Sequence, residues 1–234
     1  MFPEPEEGDP PLAVLLTTSG GLTGGDDIRI AVSVEDGAAV VVSTQAAEKI
    51  YRSRGPDVTI EVVFDIAGDA RLEYYPQETI LFDGARLRRC TEANIAPGGN
   101  FAAAEMLVFG RQARGERLTR GYLLDGWRVR RDGRLVWVDR LALDDDIAAT
   151  LDDPFALDGA VAIATALHVG ANVTQLLPEA RDLADGAATI VNGLLVARIF
   201  GPSPQEVRDR LTRYLSEMRG LMGLAPRLPR VWHV

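Results

Sequence analysis

Between residues 12 and 143 the chain is a succession of short apolar runs cut by glycine turns, and no stretch there holds a helical period for long. Residues 28–34 alternate apolar and polar, Glu35-Asp36-Gly37 turns, and residues 39–43 continue in valines. Residues 58–64 alternate again up to a turn at Gly68-Asp69. Further on, residues 87–95 and 101–109 flank Pro97-Gly98-Gly99, and residues 127–131 and 135–140 flank Asp132-Gly133. The last pair is the strongest hairpin signal, because Asp-Gly tolerates the positive φ angles of a tight type I′ turn. A chain patterned this way is predicted to be β-rich up to residue 143.

The character changes after residues 144–146. Residues 160–169 read as a strand, residues 173–183 as a short helix limited by Pro178, and residues 189–200 as strand broken near Asn192-Gly193. The clearest helix opens at Ser203, with Pro204 at its first position and Glu206 three residues on, an arrangement that caps otherwise unpaired N–H groups. Val207, Leu211, Tyr214, Leu215, Met218 and Met222 recur at helical spacing, and Gly223 is the predicted end. The tail APRLPRVWHV is predicted to be an extended arm. The fold class expected is mainly β (α+β), with about two helices in the C-terminal third. Residues 1–234 are read as one domain, β-rich over 1–143 and mixed over 144–234.

A net charge of −9 disfavours nucleic acid and anionic membrane as general partners, since both would repel the chain. One cysteine, Cys90, allows no internal disulfide, and nothing requires an oxidising compartment. The opening MFPEPEEGDPP is acidic and proline-rich, unlike a signal peptide, and no apolar run reaches the length of a membrane span. The expected location is cytoplasmic.

The glycine loop SGGLTGGDD (residues 19–27) lacks the lysine of a P-loop and carries Asp26 and Asp27, which would repel phosphate. No serine-hydrolase elbow is present, and His168 lies in an apolar run where a satisfied core histidine is expected. Clustered Cys and His ligands for structural zinc are missing. What remains is a surplus of carboxylates in strand sequence. In LEYYPQETILFDGAR (residues 72–86), Leu72, Tyr74, Ile80 and Phe82 have strand spacing, and Pro76 splits the run into two short strands with a kink. Glu73, Gln77 and Glu78 fall between these apolar residues. The plain reading is a solvated strand face. Glu105 sits inside FAAAEMLVFGR, where an unpaired carboxylate is costly to bury, so it needs an arginine, water or a cation. Arg111, Arg52 or Arg140 could serve. The functional alternative is a polar, water-bearing path, in which carboxylates and carbonyls hold a hydrated divalent ion loosely. A rival reading makes Glu73 and Glu78 the carboxylate pair of a β-rich hydrolase or lyase.

Seven blocks, in order, resemble the UreD/UreH urease accessory proteins: SGGLTGGDD, STQAAEKIYRS, LEYYPQETILFDGARL, LVFGRQARGE, RRDGRLVWVDRL, GLLVARIFG and LPRVW. The resemblance spans nearly the whole chain. It implies strands in a helical, layered sheet arrangement, no reaction of the chain's own, and a role as a nickel-insertion chaperone. It also implies apo-urease as one partner, a helical accessory protein of UreF type as another, and through it a nickel-carrying GTPase of UreG type. Transient Ni²⁺ is the cargo, with no tightly bound cofactor and no tight metal site. Mapped by block, Asp26, Asp27, Glu73, Gln77, Glu78 and Glu105 are the candidate nickel path, and Lys49, Tyr51, Arg52, Arg111 and Arg140 its supports. Met218, Met222 and Trp232 are the candidate partner contacts.

Overall fold

The computed structural model describes residues 1–4, 8–144 and 146–233. Asp145, at the point where the sequence changes character, and Val234, at the end of the arm, lie outside the described residues.

The chain alternates between two sheets. β1 (Leu12–Leu15) enters sheet I, β2 (Asp27–Val34) sheet II, β3 (Ala39–Thr44) and β4 (Glu48–Ile50) sheet I, and β5 (Val58–Ile66) sheet II. β6 (Arg71–Tyr75) and β7 (Thr79–Leu81) return to sheet I, β8 (Arg86–Ile95) to sheet II, β9 (Asn100–Phe109) to sheet I and β10 (Tyr122–Arg131) to sheet II. Each return lays a strand parallel to its predecessor, β1–β3–β6–β9 on one side and β2–β5–β8–β10 on the other. The expected helical, layered β arrangement is therefore what forms.

The winding then stops. β11 (Arg134–Asp144) folds back antiparallel on β10 across Asp132 (φ 51°) and Gly133 (φ 70°), as the hairpin signal predicts. A six-residue helix, α1 (Ile147–Asp152), follows, and β12 (Ala162–Val169) pairs antiparallel with β9. After α2 (Leu177–Leu183), β13 (Ala188–Val191) and β14 (Leu194–Gly201) form a second hairpin through Asn192 and Gly193. The last helix is α3 (Pro204–Leu221), capped by the Ser203 hydroxyl on the Glu206 N–H and followed by Gly223 at φ 80°.

Strand alternation decides what each face buries. In β5, Val58, Ile60, Val62, Phe64 and Ile66 all turn to the core between the sheets, each such burial being worth about 1.5–3 kcal/mol. In β9 the odd residues, such as Phe101 and Leu107, join that core, and the even ones, such as Ala104 and Met106, face a second core beneath the helices. α3 supplies Val207, Leu211, Tyr214, Leu215 and Met218 to this second core. The result is three layers: sheet II, sheet I, and helices α2 and α3.

Two local expectations change. Pro178 does not limit a helix over residues 173–183 but starts α2, after a 3₁₀ turn at Val173–Leu176, because proline lacks only an N–H that the first turn leaves unpaired. α1 goes unanticipated, since six residues are too few to establish a period.

Candidate functional site

The register places an odd-numbered charged residue from each of three strands between the sheets. Arg89 on β8 stands opposite Asp125 on β10, and Glu105 reaches them from β9 of the facing sheet. Arg89 Nε donates to Asp125 Oδ1 at 2.8 Å and Nη2 to Oδ2 at 2.6 Å, a two-point grip on the carboxylate. The same Nη2 lies 3.0 Å from Glu105 Oε2, and Nη1 donates to the Thr79 hydroxyl at 3.1 Å. Trp127 Nε1–H donates to Glu105 Oε1. Burial pushes the Glu105 carboxyl up to about 8; Arg89 opposes this rise and the Asp125 charge reinforces it. Burial also works against the Arg89 charge, yet the two carboxylates outweigh it and hold the guanidinium protonated. The cluster thus sets two carboxylates against one guanidinium, and burial favours the protonated form of Glu105.

This arrangement settles which arginine serves Glu105. Arg140 points to the outer face of sheet II, opposite Gly126, and makes no ion pair among the described residues. Arg111 is taken by Glu116, with Nε 3.1 Å from both carboxylate oxygens, and stacks over Phe82. The Arg52 stem lies over Gly84 and its head is exposed. The signal for Arg89 is present in sequence: Leu87, Thr91, Ala93 and Ile95 share its parity and are buried. Asp125 is marked the same way by Leu123, Trp127 and Val129.

A cleft of about 570 Å³ between the sheets leads to this cluster. Its lining includes exposed Asp27 and half-exposed Asp26 and Glu48 on one side, and buried Gln77 and Thr79 beside Arg89 on the other. Asp26 accepts the Thr23 N–H at 2.8 Å, which pins the glycine loop, whereas the Asp27 side chain turns to Arg29 at 3.2 Å. The loop rests on the strand carrying exposed Lys49: the Leu22 N–H donates to the Lys49 carbonyl at 2.7 Å and the Tyr51 hydroxyl to the Gly20 carbonyl at 2.6 Å. A Cβ at Gly21 would come within 2.7 Å of that Lys49 carbonyl, so only glycine permits the approach.

Glu73 and Glu78 belong to a different place. Glu73 faces the helical layer, only 1% exposed, which removes the solvated-face reading. Arg219 of α3 grips it with Nε and Nη2 at 3.0 and 3.1 Å, and the Tyr75 hydroxyl donates to it at 3.1 Å. Arg219 also reaches Asp9 at 2.9 Å, and Arg227 pairs with the same Asp9 at 3.2 Å. Glu78 is held by Arg208 at 2.6 Å, eleven residues earlier on α3 and therefore about 16 Å along the helix axis. Each glutamate is neutralised by its own arginine, and they do not stand as the pair a hydrolase would use.

The arm closes over the same stretch. Trp232 Nε1–H donates to the Tyr75 carbonyl at 2.9 Å, Gln77 Nε2 to the Val231 carbonyl at 2.6 Å, and Arg208 Nη2 to the Trp232 carbonyl at 3.1 Å. Trp232 and Met218 are buried within their own chain and Met222 is half-buried, so the arm is an internal brace in this arrangement.

His168 is fully buried against Tyr214, and neither ring nitrogen has a hydrogen-bond partner, which differs from a satisfied core histidine. Burial pushes it down to about 4. Cys90 is half-buried on the outer face of sheet II. Among the described residues no group of three or more His, Cys, Asp or Glu stands together to hold a metal ion, and no helix is long and apolar enough to cross a membrane.

A family model described as UreD urease accessory protein matches residues 1–233. A Magnetococcus marinus protein named urease accessory protein UreD is 41% identical over all of this chain and 84% of its own length. A namesake from a Methylobacterium strain is 43% identical over 94% of this chain and 79% of its own. A third, from Agrobacterium fabrum, is 39% identical over 95% of this chain and 78% of its own. With the whole described fold inside the matched span, the chain belongs to the UreD family of urease accessory proteins.

Proposed function

We propose that this chain serves urease maturation as a scaffold, without a reaction of its own. In this reading it holds apo-urease together with a helical accessory protein, and passes on nickel brought by a GTPase that joins through that second partner. The observation that carries the nickel part is the cleft between the sheets, which runs from Asp26 to Arg89, the arginine that holds the buried carboxylates Glu105 and Asp125 behind it. A hydrated divalent ion suits oxygen ligands of this kind. Burial favours the protonated form of Glu105, so an arriving cation would exchange with a proton there, and the return of the proton favours release. A transfer protein must let its ion go. Glu73 and Glu78, already neutralised by arginines of α3, act in this reading as anchors of the helical layer.

The test is co-expression of urease with its accessory proteins at limiting nickel, with the chain absent, intact, or carrying E105Q or D125N. Nickel content and activity of purified urease should fall without the chain. They should stay low with either variant although the complex still assembles. Equal nickel loading with and without the chain would sink the maturation role. Full loading with both variants would sink the route through Glu105 and leave the scaffold.

A further inference from the structure

Each sheet runs out in two edge strands, β1 and β13 in sheet I, β11 and β2 in sheet II. A free edge presents backbone N–H and C=O groups that another strand can pair. Three of these edges are met by other parts of the chain. On β1, the Val14 N–H donates to the Met1 carbonyl at 2.8 Å and the Met1 amine to the Val14 carbonyl at 3.0 Å. Beside β13 lies α2, whose Arg181 Nε donates to the Ala188 carbonyl at 3.2 Å. β11 is tied to the β13–β14 hairpin by Asn192 Nδ2 on the Val136 carbonyl at 2.8 Å and by the Arg198–Asp139 ion pair. The fourth edge, β2, is open.

The ladder shows which groups of β2 are spare. The Asp26 and Val34 carbonyls accept the Thr59 and Ala67 N–H groups at 2.9 and 3.0 Å, so the even-numbered residues of β2 bond to β5 and the odd ones turn their backbone groups outward. The backbone groups of Asp27, Arg29, Ala31 and Ser33 have no partner among the described residues, and all four residues are exposed. No proline, glycine or register shift interrupts the strand. Arg29, its one cation, is already paired with Asp27 at 3.2 Å and Glu61 at 3.7 Å, so it does not repel an incoming strand as a free charge would. On the other face Ile28, Ile30 and Val32 are only half-buried against the core between the sheets, and Ile28 and Ile30 line the cleft. A regular, charge-balanced edge with an apolar inner row is a template for strand addition.

We propose that β2 pairs antiparallel with β2 of a second copy of this chain, joining the two copies of sheet II across a two-fold axis at Ile30. The strand is complementary to itself in one register. With Asp27 facing Ser33 and Arg29 facing Ala31, every outward residue meets an outward residue of the copy, and each facing pair exchanges both N–H···O bonds. The inner row then sets Ile28 against Val32 and Ile30 against Ile30, apolar on apolar. A slip of one residue would turn outward groups against groups already bonded to β5. Slips of two set Arg29 against Arg29 or Asp27 against Glu35, like charge on like charge. The contact is isologous and closes as a dimer. Ile30 and Val32 of the copy extend the apolar wall of the cleft beyond Ile28, so each copy completes the cleft of the other. The inference goes beyond the scaffold reading and stands without it.

The experiment is sedimentation equilibrium of the full chain over a wide concentration range, with variants at the edge. The parent should dimerise. A31P removes an N–H that points away from β5, so it should keep the fold and weaken the dimer by about tenfold or more. A31R sets a cation opposite Arg29 of the copy and should also weaken the dimer, less so at high salt, where exposed charges are screened. A31E sets a carboxylate there and should not weaken it. In a C90S background, I30C should form a disulfide-linked dimer under mild oxidation, because the facing Ile30 pair is of the closely spaced, non-hydrogen-bonded kind. A parent that stays monomeric at every concentration overturns the proposal, and so does a dimer that A31P and A31R leave intact, since it would use another surface. If the parent is monomeric but A31P abolishes its binding to purified apo-urease or to a purified accessory protein, the edge belongs to that partner and the second copy is overturned as its occupant.

Discussion

Two arginine–carboxylate clusters of this molecule differ in charge balance: one, beneath the helices, reaches the surface at Arg227, and the other is buried between the sheets. Beneath the helices, Arg219 and Arg227 meet Glu73 and Asp9, two cations for two carboxylates, and the Tyr75 hydroxyl adds a further donor. Between the sheets, Arg89 is the one cation that serves Glu105 and Asp125 among the described residues. A matched cluster can stay charged and hold its elements together. In an unmatched one burial raises the proton affinity of a carboxylate, as it does at Glu105. The first joins β6, the N-terminal segment and α3. The second borders a cleft, and its spare carboxylate is the group that can exchange a proton for another cation.

The largest expected effect comes from breaking the matched cluster. R219M leaves Glu73 buried opposite no cation, and removing one partner of a buried pair costs about 3–5 kcal/mol. It also removes the donor to the Ala225 and Arg227 carbonyls that pins the arm. Urea unfolding of R219M should show a loss of that size, with faster proteolysis near residue 225. A loss below about 1 kcal/mol would mean that Glu73 finds water instead, and the contrast between the clusters would collapse.

How far these clusters could be read from sequence differs with the distance their partners bridge. Parity along a strand is local, so the spacing of Leu87, Arg89 and Thr91 already places Arg89 on an apolar face, and that of Leu123, Asp125 and Trp127 does the same for Asp125. The hairpin turns are equally local, and they appear where Asp132-Gly133 and Asn192-Gly193 mark them. Glu73 needs Arg219, 146 positions away, and Trp232 needs the Tyr75 carbonyl, 157 positions away. No periodicity carries that information. The sequence therefore shows an extended arm tipped by Trp232 but not what it lies on, and tertiary packing makes it a brace on its own chain.

Smaller, and distinguished by its pH dependence, is E105Q. The folded-state pKa of Glu105 is raised from 4.5 to about 8, so the folded chain binds the proton more tightly than the unfolded chain. The stabilising contribution is complete below pH 4.5 and is lost as pH rises towards 8, at up to about 1.4 kcal/mol per pH unit. Glutamine is neutral throughout and cannot make this loss. The stability difference between parent and E105Q, measured by urea unfolding from pH 5 to 8.5, should shift in favour of E105Q as pH rises and level off above 8. A difference that stays flat would mean Glu105 is ionised in the folded chain and that Arg89 serves two anions.

The smallest effect is expected at Arg140, one of the three arginines the sequence offers to Glu105, which β11 parity turns to the other face of sheet II. The side chain is exposed and makes no ion pair among the described residues, so R140A removes charge from water and little else. Its melting temperature should stay within about 2 °C of the parent. More tellingly, the pH dependence that separates parent from E105Q should survive in R140A without change. If R140A moved the Glu105 titration, Arg140 would be acting through the sheet on the unmatched cluster, and the count of one cation to two carboxylates would have to be redrawn.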